Sequence, residues 1–227
     1  MDDNTILNKF LNNAFNLKSH LIEYLSIKEC DLDGFLANAK MNLANLHPGD
    51  ALNDVSDFYT EIVGDRHVAD LAAWHITSRD YIADTLKLQQ RFSKDLVLDF
   101  GGGIGTHALA NAMSSKVEHV FFVDINQTNR NFVEYRAKKL GVEKKLTFCK
   151  TIEDTNILKF DTIVCLDVLE HLADPASQLI PSVRLWIVIL LLYSIGISTK
   201  EITMNILFIS MKVKLLKSFL RLFNQIF

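Results

Sequence analysis

Four of the chain's nine glycines fall within residues 101–105, directly after an apolar run and directly before a stretch of helical periodicity. The segment reads Val97-Leu98-Asp99-Phe100-Gly101-Gly102-Gly103-Ile104-Gly105. Glycine reaches positive φ at little steric cost and lets another group approach the main chain closely. A strand ending in such a turn delivers the chain into a helix whose first amides lack intrahelical partners and carry the positive end of the dipole. By itself such a loop is moderately specific: it holds a ligand against the main chain, or it is a glycine turn that binds nothing.

The flanking sequence predicts the frame around this turn. Leu96-Val97-Leu98 reads as a first strand and Gly105 to Met113 as the helix after it. A second apolar run, Val120-Phe121-Phe122-Val123, ends on Asp124. Residues 126–140 carry Phe132, Val133, Tyr135, Ala137 and Leu140 at helical spacing and stop at Gly141, a typical C-cap. Leu146 to Cys149 and Phe160 to Leu166 read as the third and fourth strands. Strands alternating with helices imply crossover units and a parallel sheet, an α/β class. Residues 1–90 read as helical, with Ile6, Phe10, Leu11, Phe15, Leu17, Leu21, Ile22 and Leu25 at spacings of three and four. Asp31 is placed to cap a helix there, His47 to Asp50 reads as a loop, and one helix is expected from Val68 through Trp74 and Ile82 to Leu86.

Asp124 sharpens the ligand. An acid closing the second strand about twenty residues after a glycine turn is placed to accept hydrogen bonds from ribose hydroxyls. The competing role is a cap on the helix that starts near Asn126. At this point the chain resembles the class I, Rossmann-like S-adenosylmethionine-dependent methyltransferases over residues 94–181. The resemblance rests on residues 97–106, on Val120 to Asn126, and on Phe160 to Pro175 with its Asp167-Val168-Leu169-Glu170-His171-Leu172 core. It implies a mostly parallel sheet with helices on both faces and S-adenosyl-L-methionine as cofactor. It also implies roles. Gly101, Gly103 and Gly105 would wrap the methionine part, with Asp99 near its amino group. Asp124 would hold the ribose and Ile125 flank the adenine. Glu153 or Asp154, after the third strand, would reach the adenine amine, and Asp167 would lie beside the sulfonium. His171 is the candidate general base, against a plainer role in starting a helix that shapes the pocket. Tyr59, His67, Trp74, His75, Arg79 and Tyr81 belong to helices that lid the cofactor in many relatives; the plainer alternative is Trp74 in the core and the His and Arg side chains in solvent.

Composition excludes more than it selects. With 49% hydrophobic and 22% charged residues the chain is a folded one, and a net charge of −3 gives no reason to expect nucleic acid. Cys30, Cys149 and Cys165 form neither a zinc pattern nor a disulfide framework, which fits small core thiols in a reducing cytoplasmic compartment. The acidic start, Met1-Asp2-Asp3-Asn4, lacks the apolar centre of a secretory signal.

The C-terminal end departs from this pattern. Residues 181–227 hold six basic residues and one acidic one, against 18 and 26 in the preceding 180. The chain therefore divides into a helical region (1–90), a cofactor-binding core (91–181) and a hydrophobic, basic tail (182–227). Pro181 to Arg184 stands where the family has a glycine-containing turn. Leu185 to Tyr193 reads as a fifth strand and Ile206 to Val213 as one more, so the sheet looks short of the family's seven. The apolar run 185–198 is shorter than the roughly twenty residues that span a bilayer. Lys212, Lys214, Lys217 and Arg221 alternate with apolar residues in a pattern compatible with an anionic membrane surface, so residues 185–227 could associate with one. The loss of acid and glycine favours a third expectation, a frameshifted or truncated family end.

The leading function is methyl transfer to a small-molecule or lipid-like acceptor. A nicotinamide-dependent oxidoreductase is the alternative, because Gly103-x-Gly105-x-x-Ala108 also fits a dinucleotide fingerprint. A non-catalytic remnant that keeps the cofactor half is the third.

Overall fold

The structure, a computed structural model, describes the backbone of residues 1–44, 65–168, 183–193 and 204–209, and the side chains of residues 1–39 and 67–168. Among the described residues five helices come first: α1 (Asp3–Asn13), α2 (Leu17–Leu25), α3 (Leu32–Ala44), α4 (Asp65–Thr77) and α5 (Arg79–Phe92). There follow β1 (Asp95–Phe100), α6 (Thr106–Met113), β2 (Val117–Val123), α7 (Gln127–Leu140), β3 (Leu146–Cys149) and β4 (Phe160–Leu166). Strands β5 (Val183–Tyr193) and β6 (Met204–Ile209) complete a six-stranded sheet in the order β3-β2-β1-β4-β5-β6. All pairings are parallel except β5 with β6.

The apolar runs become strands because both faces of the sheet are buried. Val97, Val120, Phe122 and Val164 face α6 and α7 and pack with Ala108, Leu109, Val133 and Ala137. Their neighbours Leu98, Ile163 and Cys165 point the other way and are equally inaccessible. Continuous rather than alternating hydrophobicity is what a two-sided parallel sheet requires. The crossovers from β1 to β2 and from β2 to β3 run in one direction, so right-handed connections put α6 and α7 on the same face. Asn126 caps α7, its side chain accepting from the amides of Thr128 and Asn129, and Gly141 at φ 68° ends it.

Strand order reverses between β1 and β4, and in open α/β sheets the carboxyl ends at such a point form the ligand crevice. The glycine turn, Asp124 and Asp167 all follow strands at that end.

Three expectations change in detail. The single helix expected from Val68 to Leu86 is two, broken at Ser78. The Thr77 hydroxyl donates back to the carbonyls of Ala73 and Trp74, a local bond that competes with helix continuation. The N-terminal apolar pattern is likewise broken, by a corner in which Ala14, Phe15 and Asn16 are all left-handed, at φ 50°, 56° and 59°. Cys149 and Cys165 are core thiols, but Cys30 lies exposed. The apolar run that begins at Leu185 enters the sheet as β5, and β6 covers the first part of the further expected strand. Among the described residues no helix is long and apolar enough to cross a membrane. The loop at His47 to Asp50, the side chain of Tyr59, the basic residues 212–221 and His171 lie outside the described residues.

Candidate active site

The turn after β1 is shaped by what each glycine touches. Gly101, Gly103 and Gly105 adopt φ of 68°, 54° and 74°. A Cβ on Gly105 would stand 2.4 Å from Val133 Cγ1, and one on Gly101 would stand 2.4 Å from Val168 Cγ2. The turn is therefore clamped between α7 and the chain leaving β4. Only glycine satisfies both the backbone angle and the space. Gly105 is also the N-cap residue of α6, so the helix's first amides open towards the turn.

Asp124 ties the two strand ends together. Its Oδ2 accepts from the Gly103 amide at 2.9 Å and from Asn129 Nδ2 at 3.2 Å, and its Oδ1 accepts from the Asn126 amide at 2.8 Å. Arg130 donates to its backbone carbonyl. Burial pushes the Asp124 carboxyl up to about 6, and the amides of Asn126 and Gly103, the Asn129 side chain and the Arg130 charge hold it from rising further. A carboxylate offers about four acceptor positions. Three are filled, which leaves one for a ligand hydroxyl.

Asp99 points to the helix side of β1, beneath the turn. It is 3% exposed, the Ala108 amide donates to it, and its Oδ2 has no hydrogen-bond partner. Burial, and then the neighbouring Asp124 charge, push its carboxyl up to about 7. Two acids under strain from burial and mutual repulsion are an environment that a cationic ligand group would relieve.

The remaining candidates are spread around these two. Ile125 is half-buried beside Asp124. Glu153 is exposed at the start of a short 3-10 turn, whereas Asp154 is engaged by the Thr151 amide at 2.9 Å. Asp167 follows β4 in the left-handed region at φ 54°, and the Tyr81 hydroxyl reaches its two carboxylate oxygens at 3.3 and 3.4 Å. A non-glycine residue held there marks a position fixed by its surroundings. Among the described residues no cluster of His, Cys, Asp and Glu is arranged to hold a metal.

The N-terminal helices touch the turn directly. Leu71 of α4 lies 3.0 Å from where a Gly103 Cβ would be. His67 contacts Asn129, the partner of Asp124, at 3.2 Å, and His75 Nδ1 meets the Thr106 hydroxyl at 3.0 Å. His75 is buried rather than solvated, and burial holds its ring well below the usual histidine range. Trp74 is 37% exposed rather than in the core, with its ring edge-on to Tyr81 at 5.5 Å. Arg79 is exposed.

Sequence reasoning passed over Asn129, Leu71, Thr106 and Arg136. Arg136 is fully buried; Nη1 donates to the Ile104 carbonyl of the turn at 2.8 Å and Nη2 to the Ala14 carbonyl at 2.9 Å. It had a legible signal. Phe132, Val133, Arg136, Ala137 and Leu140 share one stripe of α7, and a cation on an apolar stripe is out of place unless bound.

A parallel sheet with a glycine turn and an acid at its switch point defines a nucleotide-binding α/β domain. The methyltransferase-domain family matches residues 73–192, and the chain belongs to that family. Among curated proteins it is 30% identical over 92 residues to a ubiquinone biosynthesis O-methyltransferase of Paracidovorax citrulli, covering 39% of this chain and 38% of that one. It is 31% identical over 110 residues to the like-named protein of Alkalilimnicola ehrlichii, covering 47% and 42%. The match thus spans about two fifths of those relatives' length. Among solved structures it is similar to a magnesium protoporphyrin IX methyltransferase from Synechocystis PCC 6803, with TM-score 0.46 and 24% identity over 65% of this chain and 79% of that one. A methyltransferase from Geobacter sulfurreducens gives TM-score 0.42 and 22% identity, over 52% and 50%.

Proposed function

We propose that this chain binds S-adenosylmethionine across the glycine turn and passes its methyl group to an oxygen of a small, lipid-like acceptor. The observation that carries the reading is the joining of Gly103 to Asp124 at the switch point of a methyltransferase-family domain. The residues fit the cofactor's chemistry. The α6 N-terminus suits its carboxylate. The open acceptor position on Asp124 suits a ribose hydroxyl, and half-buried Ile125 suits one face of the adenine. Buried Asp99 suits its ammonium, and Asp167 beyond β4 its sulfonium.

When bound, the cofactor supplies a methyl group already activated for displacement. The protein's part is then positioning and exclusion of water. Leu71, His67 and His75 hold α4 over the turn, and Gly101 packed on Val168 sets the separation between the turn and Asp167. Trp74 and Tyr81 give that end of β4 an aromatic surface, which suits an apolar or ring-bearing acceptor. Asp167, bonded by the Tyr81 hydroxyl at this surface, would take the proton that an acceptor hydroxyl must lose. The names of the two curated relatives support oxygen as the acceptor atom.

Calorimetry with S-adenosylhomocysteine and with NAD tests the cofactor. Binding of the first without the second is expected; NAD binding without S-adenosylhomocysteine would overturn the reading. Turnover of a phenol panel with methyl-labelled S-adenosylmethionine separates an enzyme from a binding remnant.

A further inference from the structure

Arg136 spends its charge unusually. Its guanidinium is fully buried, burial lowers it to about 9, and among the described residues no carboxylate pairs with it. Its donors go to carbonyls at two distant places: Ile104, inside the glycine turn, and Ala14, with Phe15 at 3.5 Å, in the corner between α1 and α2. Nε has no partner. A buried cation without a counter-charge is costly and is tolerated only where its hydrogen bonds are well formed. Both ends it joins are places where the backbone is out of its ordinary range. On one side Gly103 and Gly105 flank Ile104 in left-handed geometry; on the other stand Ala14, Phe15 and Asn16.

We propose that Arg136 is a positioning residue for the glycine turn, pinning the Ile104 carbonyl so that the turn is pre-formed before ligand arrives. Through the same guanidinium the α1–α2 corner becomes part of the turn's support. The corner is otherwise braced by Phe15 packed on Phe10, with ring centroids 5.7 Å apart, and by the Asn13 side chain on Asn16. Pre-organisation of this kind lowers the ordering cost of binding without touching the ligand. The role in ligand affinity rests on the cofactor reading above; the role in holding the turn does not.

Hydrogen exchange of the ligand-free full chain, read on peptides covering residues 97–106 and 146–149, tests the pin directly. Arg136→Lys keeps the charge but replaces the rigid fork, whose Nη1 and Nη2 each hold one carbonyl, with a single nitrogen on a flexible stem. The expected result is roughly tenfold faster exchange at residues 97–106 with β3 unchanged, and a roughly tenfold weaker S-adenosylhomocysteine Kd. A folded variant with an unchanged turn, or with exchange raised equally in both peptides, would overturn the proposal. Asn16 is exposed and its side chain bonds to Asn13 within the corner, so Asn16→Ala provides an independent arm that leaves Arg136 itself in place. It is expected to speed exchange at 97–106 in the wild-type background and not in the Arg136→Lys background; no effect in either background would overturn the link to the corner. If the turn loosens as expected while even the unaltered chain binds no S-adenosylhomocysteine, the cofactor reading fails and the pin stands.

Discussion

The amide of Gly103 donates to Oδ2 of Asp124 across 2.9 Å, so the acid that closes β2 braces the turn that closes β1. One carboxylate thereby serves the shape of the turn and remains available to a ligand.

Asp124→Ala should therefore lose affinity for S-adenosylhomocysteine by about 1–3 kcal/mol, the range for a buried group deprived of its partner. Isothermal titration measures it directly. An affinity equal to that of the unaltered chain would remove Asp124 from the site.

Asp99 gives a pH signature. Its folded carboxyl titrates at about 7 against an unfolded value near 4, so the folded state binds the extra proton between those values. Stability from this group then falls as pH rises from 4 to 7. Asp99→Asn has no such titration. Its melting temperature relative to the unaltered chain should improve from pH 5 to about pH 7 and level off above that, whatever its offset at pH 5. A constant difference across that range would show that Asp99 is ionised throughout.

Gly105→Ala should be destabilising by about 2–4 kcal/mol, combining left-handed strain with a clash in which the new Cβ stands 2.4 Å from Val133 Cγ1. Urea unfolding of Gly105→Ala, Val133→Ala and the double variant separates the two terms. The double variant should be less damaged than the sum of the singles, because shortening Val133 removes the two closest contacts and leaves the backbone cost with a 3.1 Å approach to the Val133 Cβ. Strict additivity would mean that the clamp on α7 is not tight.

On the acid side His107 works in the opposite sense. It contacts the Thr85 hydroxyl at 2.8 Å, and burial lowers its ring to about 3. A depressed histidine contributes stability that is present above its unfolded value of about 6.5 and is lost as pH falls towards 3. His107→Gln should flatten this acid limb in a melting-temperature profile. An unchanged slope between pH 6 and pH 4 would show that the ring already carries its proton in the folded chain.

Much of this was legible because the parallel sheet writes its strands as uninterrupted apolar runs: Leu146 to Cys149 and Phe160 to Leu166 were placed to the residue. The C-cap Gly141 was equally plain, since capping is local chemistry, but the N-cap is Asn126, where the sequence offered Asp124. The breaks at Ala14 to Asn16 and at Ser78 were not, because neither contains Gly or Pro. In the corner, left-handed residues are held by long-range contacts such as that of Arg136. Likewise the glycines announced a turn and the apolar stripe of α7 marked Arg136 as a bound cation, but that Arg136 and Leu71 meet this turn from about 30 positions away is encoded in no local pattern.

The turn is clamped by Val133 and Val168, bonded by Asp124, pinned by Arg136 and covered by Leu71, so each of its walls comes from a different stretch of chain. Such a site vanishes when the chain unfolds, and whatever fills it must be released. Ligand occupancy and global folding are then one equilibrium. A compound at a hundred times its Kd should add about 2.7 kcal/mol to unfolding. Simple melting of the protein against a library of nucleosides and prospective acceptors would reveal what it holds before any reaction has been found.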